Sequence, residues 1–259
     1  MDIHSLISLK DKVAIVTGSS KGLGKSYAEA LASAGADLVV NSRHGDELKE
    51  VIDAIKGMGR KVLAVEGDLS NEKDIKLLVE KTLKEYGKID ILVNNAATER
   101  VNIPPEETSL ESWNYVMNTN VNGVFLTCKE VGKVMIKQKK GKIINLASLC
   151  GSFVIKETHG GSYDVSKSAI IGLTRVLASE WAKYNITVNA IAPGLYNTPA
   201  NYKYFTDNKE FAAKLLDSVP LGKFGDVEEM GGVAVFLASD VCNYMTGSIV
   251  FIDGGFSIW

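Results

Sequence analysis

The chain has 259 residues, of which 46% are hydrophobic and 23% charged, with a formal net charge of -2 at pH 7. A chain of this length and composition can bury one large core, and its charge gives no electrostatic bias towards nucleic acid or membrane surfaces. No uninterrupted apolar run approaches the length that spans a bilayer, so neither a membrane protein nor a nucleic-acid binder is predicted.

Seven short apolar runs, rich in β-branched residues, predict strands that begin near residues 12, 37, 61, 90, 141, 186 and 248. The runs lack clean polar alternation, as expected when helices cover both faces of a sheet. Each intervening segment has apolar residues at three- and four-residue spacing, which is typical of helices. We therefore predict an α/β fold with a doubly wound, seven-stranded parallel sheet of Rossmann type, forming a single domain over residues 1–259.

The first strand leads into TGSSKGLGKS at 17–26, which suggests two different phosphate loops. A triphosphate loop ending in GKS at 24–26 would need glycine at position 19, where the chain has serine. In a dinucleotide loop, Gly18 would make the tight turn, Gly22 would let a pyrophosphate approach the backbone, and Gly24 would allow close packing at the helix start. The spacing therefore favours the dinucleotide loop.

The fifth strand and the following helix carry candidate catalytic residues. Ser148 follows the strand GKIINLA, at the edge where open α/β sheets bind ligands. In YDVSK, Tyr163 and Lys167 are four residues apart and share one helix face. An ammonium about 4 Å from a phenolate contributes about 4 kcal/mol at an effective dielectric of about 20, which would lower the pKa of Tyr163 by about three units. We therefore expect Tyr163 to exchange a proton near neutral pH.

The sixth strand ends in PGLYNT at 193–198, and a polar, tyrosine-bearing segment at 195–225 then interrupts the alternation of strands and helices. The helical pattern resumes near Val227. Insertions of this kind commonly close over a substrate, so we predict a substrate lid at 195–225.

These motifs together resemble the short-chain dehydrogenase/reductase family over nearly the entire chain: TGxxxGxG at 17–24, NNAA at 94–97, YxxxK at 163–167, PGxxxT at 193–198 and IDGG at 252–255. The resemblance implies that Tyr163 is the general acid/base, that Lys167 binds the nicotinamide ribose, and that Ser148 positions the substrate oxygen. It also implies a catalytic role for Asn120 in NTNVNG, which would hold a water connecting Lys167 to solvent. Ala97 replaces the last glycine of the family's NNAG, which would tighten the pocket near the cofactor ribose.

The resemblance further implies a nicotinamide dinucleotide held by the glycine loop and the strand ends. The predicted cofactor-binding residues are Gly18, Ser20, Lys21, Gly22, Leu23, Gly24, Ser42, Arg43, Asp68, Leu69, Asn95, Ala96, Tyr163, Lys167, Pro193, Gly194 and Thr198. For Asp68, capping of the next helix explains the residue equally well.

The end of the second strand indicates which nicotinamide cofactor is preferred. An NAD site commonly ends this strand with a carboxylate, which binds the ribose hydroxyls and repels a 2′-phosphate. Here Ser42 takes that place, with Arg43 beside it and Lys21 in the glycine loop. We see cations and no opposing carboxylate, so we predict a preference for NADP(H), with NAD(H) open as a second cofactor.

The core motifs name no substrate. The leader SLKDKVAIVTG, Arg100 after NNAATE, and FGDVEEMGGVAVFLASD near the end resemble the gluconate 5-dehydrogenase branch of the family, which implies a sugar acid or polyol. Arg100 would pair with the substrate carboxylate, although an exposed loop arginine is equally consistent. Two alternatives stay open: a 3-oxoacyl-thioester (acyl carrier protein) reductase, and a non-catalytic NADP(H)-sensing protein, which would have no need of a proton relay.

Cysteines and histidines indicate no further site. Cys128, Cys150 and Cys242 lack CxxC pairing, which predicts neither disulfides nor a zinc knuckle and fits a cytoplasmic setting. The three histidines are far apart, so we expect no metal. The family resemblance implies a homotetramer built on long helices at about 109–138 and 163–183 and on the final strand.

Overall fold

The seven predicted strands form one parallel sheet in a computed structural model, which describes residues 2–98, 100, 102–156 and 158–258, apart from the side chains of 200 and 202–204. In chain order the strands are β1 Val13–Val16, β2 Asp37–Ser42, β3 Val62–Glu66, β4 Ile91–Asn94, β5 Gly141–Leu146, β6 Ile186–Pro193 and β7 Ile249–Ile252. Their order across the sheet is β3-β2-β1-β4-β5-β6-β7, and all neighbours are parallel. The predicted fold class is confirmed.

Helices connect the strands and cover both faces of the sheet. They are α1 Ile3–Ile7, α2 Gly22–Ser33, α3 Lys49–Gly57, α4 Glu72–Tyr86, α5 Leu110–Met117, α6 Val124–Gln138, α7 Gly161–Trp181, α8 Pro199–Asp207, α9 Lys209–Asp217 and α10 Glu229–Ala238. No helix within the described ranges is long and apolar enough to cross a bilayer.

Two hydrophobic cores result from the alternation of side chains along each strand. In β1, Ala14 and Val16 face the core under α2, α3 and α10, whereas Val13 and Ile15 face the core under α4, α6 and α7. Both strand faces are buried, which explains why the sequence runs are continuously apolar.

The strand order reverses at β1, which lies between β2 and β4. The loops that leave β1 and β4 diverge there, which opens a crevice at the carboxyl edge of the sheet. Asn95 joins the two loops, because its side-chain amide donates to the carbonyl oxygens of Thr17 at 3.0 Å and Gly18 at 2.9 Å. The glycine loop is therefore anchored to the central strand pair.

Candidate active site

A cavity of about 460 Å³ lies at this carboxyl edge, between the strand ends and the helices α8 and α9. Nine of the predicted site residues line it, namely Leu23, Asn95, Arg100, Ser148, Tyr163, Lys167, Pro193, Gly194 and Thr198. The cavity thus brings together residues that are up to 175 positions apart in the sequence.

The glycine loop has the backbone that the dinucleotide interpretation requires. Gly18 and Gly22 have φ values of 60° and 58°, in the left-handed region that favours glycine. A Cβ atom on Gly18 would lie 2.8 Å from Cα of Ala96, and one on Gly24 would overlap the carbonyl oxygen of Gly18. No side chain caps the start of α2, so the N–H groups of its first turn suit an anionic pyrophosphate.

The residues of the competing triphosphate motif point to other partners. Lys25 forms an ion pair with Glu50 on α3, and the hydroxyl of Ser26 donates to the carbonyl oxygen of Val227 at 2.8 Å. Neither side chain is therefore directed to a phosphate at the loop.

A carboxylate lies at the end of β2, contrary to the sequence prediction. The hydroxyls of Ser20 and Ser42 both donate to Oε2 of Glu47, at 3.1 and 3.2 Å. These hydrogen bonds hold the pKa of Glu47 below its ordinary value, so the group is ionised at neutral pH. The prediction of cations without an opposing carboxylate was wrong, because the 3-10 helix Gly45–Leu48 turns Glu47 back towards the glycine loop.

The predicted cations Lys21 and Arg43 directly follow Ser20 and Ser42 in the sequence, and Lys21 contributes to the low pKa of Glu47. Arg43 is exposed, and its Nη1 donates to the hydroxyl of Tyr115 at 3.3 Å. This contact links the β2 end to α5.

Asp68, Leu69 and Ala96 have local structural partners. Oδ1 of Asp68 accepts from the Ser70 N–H at 2.8 Å in the turn before α4. Asn71 is the N-cap of α4, so the interpretation of Asp68 as a helix cap was wrong. Leu69 is buried in the core, and the Ala96 N–H donates to Thr17 Oγ1 at 3.1 Å. None of the three lines the cavity formed by the described residues.

Burial controls the protonation of Tyr163 and Lys167. It raises the pKa of Tyr163 to about 12, while the hydroxyl of Ser148 and the charge of Arg100 act in the opposite direction. It lowers the pKa of Lys167 to about 8. Nζ of Lys167 donates to the carbonyl oxygen of Leu146 at 2.8 Å and lies 5.6 Å from the Tyr163 ring centroid. The expected lowering of the Tyr163 pKa was therefore wrong for this structure, since burial raises the pKa of the phenol and lowers that of the neighbouring amine.

Ser148 lies just beyond β5 and is nearly buried. Its Oγ accepts from the Cys150 N–H at 3.2 Å, which caps the short 3-10 helix Leu149–Gly151. The same helix packs against α7, so the hydroxyl is held at the wall that also carries Tyr163.

Asn120 lies in a π-helical turn, Asn118–Gly123, which separates α5 from α6. Its Oδ1 accepts from the Thr98 N–H at 2.8 Å, and its Nδ2 donates to Ser166 Oγ at 3.1 Å. Ser166 in turn donates to the carbonyl oxygen of Tyr163. The described contacts of the Asn120 side chain therefore hold the start of α7 rather than Lys167.

Arg100 is a cavity residue rather than an exposed loop residue. Its Nη2 donates to Asp164 Oδ2 and to Thr158 Oγ1, both at 2.9 Å. Nε of Arg100 and Oδ1 of Asp164 are buried without a hydrogen-bond partner among the described residues. Burial raises the pKa of Asp164, and Arg100 opposes this effect. The sequence predicted the arginine but not its carboxylate partner.

The cavity also has an apolar part, which packs against the Tyr163 ring. Ile155 and Leu215 pack in a small cluster with Leu149, and Phe205 and Phe211 join it. Gly194, which also lines the cavity, packs so closely on Asp253 that a Cβ atom on Gly194 would lie 2.5 Å from Cα of Asp253.

Known proteins match nearly the whole chain. A family model described as enoyl-(acyl carrier protein) reductase matches residues 18–257. The chain is 42% identical over 259 residues to 2-dehydro-3-deoxy-D-gluconate 5-dehydrogenase from Dickeya dadantii (strain 3937), with 98% of each chain covered. It is 38% identical over 253 residues to 3beta-hydroxysteroid dehydrogenase 1 from Eggerthella lenta, covering 97% of this chain and 95% of that one.

A solved structure is also similar. It is the structure of a gluconate 5-dehydrogenase from Burkholderia cenocepacia J2315 in complex with NADP and tartrate. The TM-score is 0.94, the sequence identity is 30%, and the match covers 100% of each chain.

Proposed function

The chain belongs to the short-chain dehydrogenase/reductase family, and on that premise we propose that it transfers a hydride between a nicotinamide cofactor and the secondary alcohol or ketone of a sugar acid. The observation that carries this proposal is one cavity lined by Ser148, Tyr163, Lys167 and Arg100. It combines a hydroxyl, a phenol, a buried amine and a guanidinium.

Tyr163 is the proton donor to a substrate carbonyl oxygen, and the acceptor in the reverse direction. Its raised pKa keeps the phenol protonated at neutral pH, so the proton to be donated is present in the reducing direction. Ser148 donates a second hydrogen bond to the same oxygen, and the ammonium form of Lys167, populated below about pH 8, stabilises the phenolate left behind. The bound nicotinamide supplies the hydride acceptor or donor. Asn120 is a positioning residue for α7.

NADP(H) is the proposed cofactor. The uncapped start of α2 and the glycines at 18, 22 and 24 would hold its pyrophosphate, and Lys21 and Arg43 would attract its 2′-phosphate. The NADP complex of the Burkholderia relative supports this proposal. Pro193, Gly194 and Thr198 would border the nicotinamide end.

A sugar acid is the proposed substrate, such as 2-dehydro-3-deoxy-D-gluconate or 5-ketogluconate. Two sugar-acid dehydrogenases among the relatives support it. Arg100 would meet the carboxylate, since its Nε has no hydrogen-bond partner among the described residues. The helices α8 and α9, within 195–225, would form the lid, because Phe205, Phe211 and Leu215 line the cavity.

The apolar wall favours a second candidate, a secondary alcohol on a large hydrophobic skeleton. Ile155, Phe205 and Phe211 would accommodate a steroid or an acyl chain, and the hydroxysteroid dehydrogenase relative supports this alternative. A 3-oxoacyl thioester belongs to the same chemical class.

The test is turnover measured by NAD(P)H absorbance with purified protein. Substrates are 2-dehydro-3-deoxy-D-gluconate, D-gluconate, a 3β-hydroxysteroid and acetoacetyl-CoA, each with both cofactors. Tyr163→Phe is the matched control, and it should lower kcat at least about 100-fold while leaving cofactor binding intact, because only the proton-transfer group is removed. Turnover retained in Tyr163→Phe would contradict the mechanism. Cofactor binding without any turnover would instead favour a sensing protein.

A further inference from the structure

Three parts of the chain meet at one oxygen atom at the carboxyl edge of β1 and β2. Ser20 belongs to the glycine loop, Ser42 is the last residue of β2, and Glu47 lies five residues further along. Both serine hydroxyls donate to the same Oε2 of Glu47. The two converging hydroxyls of Ser20 and Ser42 form an anion-binding cradle. The anion bound there is the carboxylate of Glu47.

Two cationic residues directly follow the serines of the cradle in the sequence. Lys21 follows Ser20 in the loop and acts electrostatically on Glu47, and Arg43 follows Ser42. Arg43 is directed to the hydroxyl of Tyr115. No described hydrogen bond or ion pair joins Glu47 to either cation. The carboxylate is thus held by two neutral hydroxyls, which makes it easier to displace than a carboxylate in a direct ion pair.

The backbone allows this displacement. Leu48, the next residue, is fully buried and fixes the 3-10 helix Gly45–Leu48 to the core, whereas the Glu47 side chain is exposed. Rotation of the side chain therefore removes the carboxylate from both serines without moving the strand end.

The adenosine ribose of a dinucleotide binds at the end of the second strand in folds of this type. A 2′-phosphate there would require the same serine hydroxyls and would meet a like charge. Ribose hydroxyls can instead donate to a carboxylate that stays in place. A 2′-phosphate thus requires the Glu47 carboxylate to leave the serines, whereas an unmodified ribose can bind with the carboxylate in place.

We infer that Glu47 sets the choice of cofactor in this chain: its carboxylate occupies the 2′-phosphate cradle formed by Ser20 and Ser42, accepts NAD(H) in place, and must swing out before NADP(H) binds. The inference rests on the proposed use of NADP(H). On this inference Glu47 weakens NADP(H) binding, whereas Lys21 and Arg43 strengthen it.

The experiment measures dissociation constants, by calorimetry, on the cofactor-free protein. The ligands are NADPH, NADH, 2′,5′-ADP and 5′-AMP, so binding is measured independently of turnover. Glu47→Gln should tighten NADPH and 2′,5′-ADP about tenfold, since it removes a like charge beside the phosphate. NADH and 5′-AMP should change less than about twofold or bind more weakly. The gain should shrink at high salt.

The matched control is Asp46→Asn, which also removes one negative charge. Asp46 precedes Glu47, and its side chain makes no described hydrogen bond to either serine. It should leave all four dissociation constants within about twofold. An equal gain from Asp46→Asn, or equal changes in NADPH and NADH with Glu47→Gln, would overturn the inference.

A second variant, Arg43→Ala, separates the inference from the proposed function. If Arg43→Ala weakens NADPH more than NADH while Glu47→Gln leaves their ratio unchanged, the inference fails and the proposed NADP(H) use stands. If neither the wild-type protein nor any variant binds NADPH or 2′,5′-ADP, the proposed NADP(H) use fails, and the inference with it.

Discussion

At the scale of single residues, burial has more influence on the candidate chemistry than sequence spacing does. Tyr163 and Lys167 share one helix face as their spacing predicts. Desolvation nevertheless raises the pKa of Tyr163 and lowers the pKa of Lys167, which favours the neutral form of each. A motif specifies which groups are neighbours, but not how much water surrounds them.

Lys167 should leave a signature in the pH dependence of stability. Its pKa is about 8 in the folded protein against an ordinary value of 10.5. Between these values the unfolded chain binds the proton and the folded chain does not, so this group makes the free energy of unfolding rise with pH. Between pH 8 and pH 10, the free energy of unfolding of the wild-type protein should rise on the order of 2 kcal/mol more than that of Lys167→Met. Urea denaturation at several pH values measures this, and parallel curves for the two proteins would contradict it.

Arg100 should discriminate substrates by charge. Arg100→Ala should raise KM for an acid substrate at least about tenfold, because a charged hydrogen bond to the carboxylate is lost. For an uncharged secondary alcohol the change should be much smaller. Since Arg100→Ala leaves Asp164 unpaired, the double variant with Asp164→Asn is the control that removes both charges. Equal KM increases for charged and uncharged substrates would indicate a purely structural arginine.

At the scale of elements, all seven strands were predictable, because fully buried parallel strands are continuously apolar and are bounded by turn residues. The glycine loop was predictable from spacing alone. The contacts of Asn120 were not, because Thr98 and Ser166 reach it only after α5, α6 and α7 have packed.

The glycine at the start of α2 is required by packing. Gly24→Ala should lower the free energy of unfolding by about 2 kcal/mol or more, since its Cβ would overlap Gly18 and the Asn95 amide. Gly57→Ala is the matched control, because a Cβ atom at this position in α3 would meet nothing within 4 Å. It should raise the free energy of unfolding by up to about 1 kcal/mol. Thermal or urea denaturation compares the two. Similar stabilities would show that the loop relaxes around the added methyl group.

At the scale of the whole molecule, exposed apolar side chains are consistent with the expected homotetramer. Phe125 on α6 and Val165 and Val176 on α7 are about half exposed, and Tyr244 near β7 is fully exposed. We predict that these side chains lie in the subunit contacts of the expected tetramer.

The mass in solution tests this expectation. Light scattering should give about four times the 28.0 kDa of one chain. Val176→Asp should dissociate the assembly, because it places a charge within the expected subunit contact on α7. Met58→Asp, at a similarly exposed apolar position directly after α3, should leave the mass unchanged. A wild-type protein with the mass of one chain would refute the tetramer.

The sequence by itself determined the strand number and the parallel α/β class, and it predicted a dinucleotide loop and the candidate residues Ser148, Tyr163 and Lys167, since each depends on local pattern or short spacing. Only the tertiary structure decided the rest: the carboxylate of Glu47 between Ser20 and Ser42, the pairing of Arg100 with Asp164, and the burial that shifts the pKa values of Tyr163 and Lys167. These features depend on distances between segments far apart in the chain and on the exclusion of water, and neither quantity is encoded in local spacing.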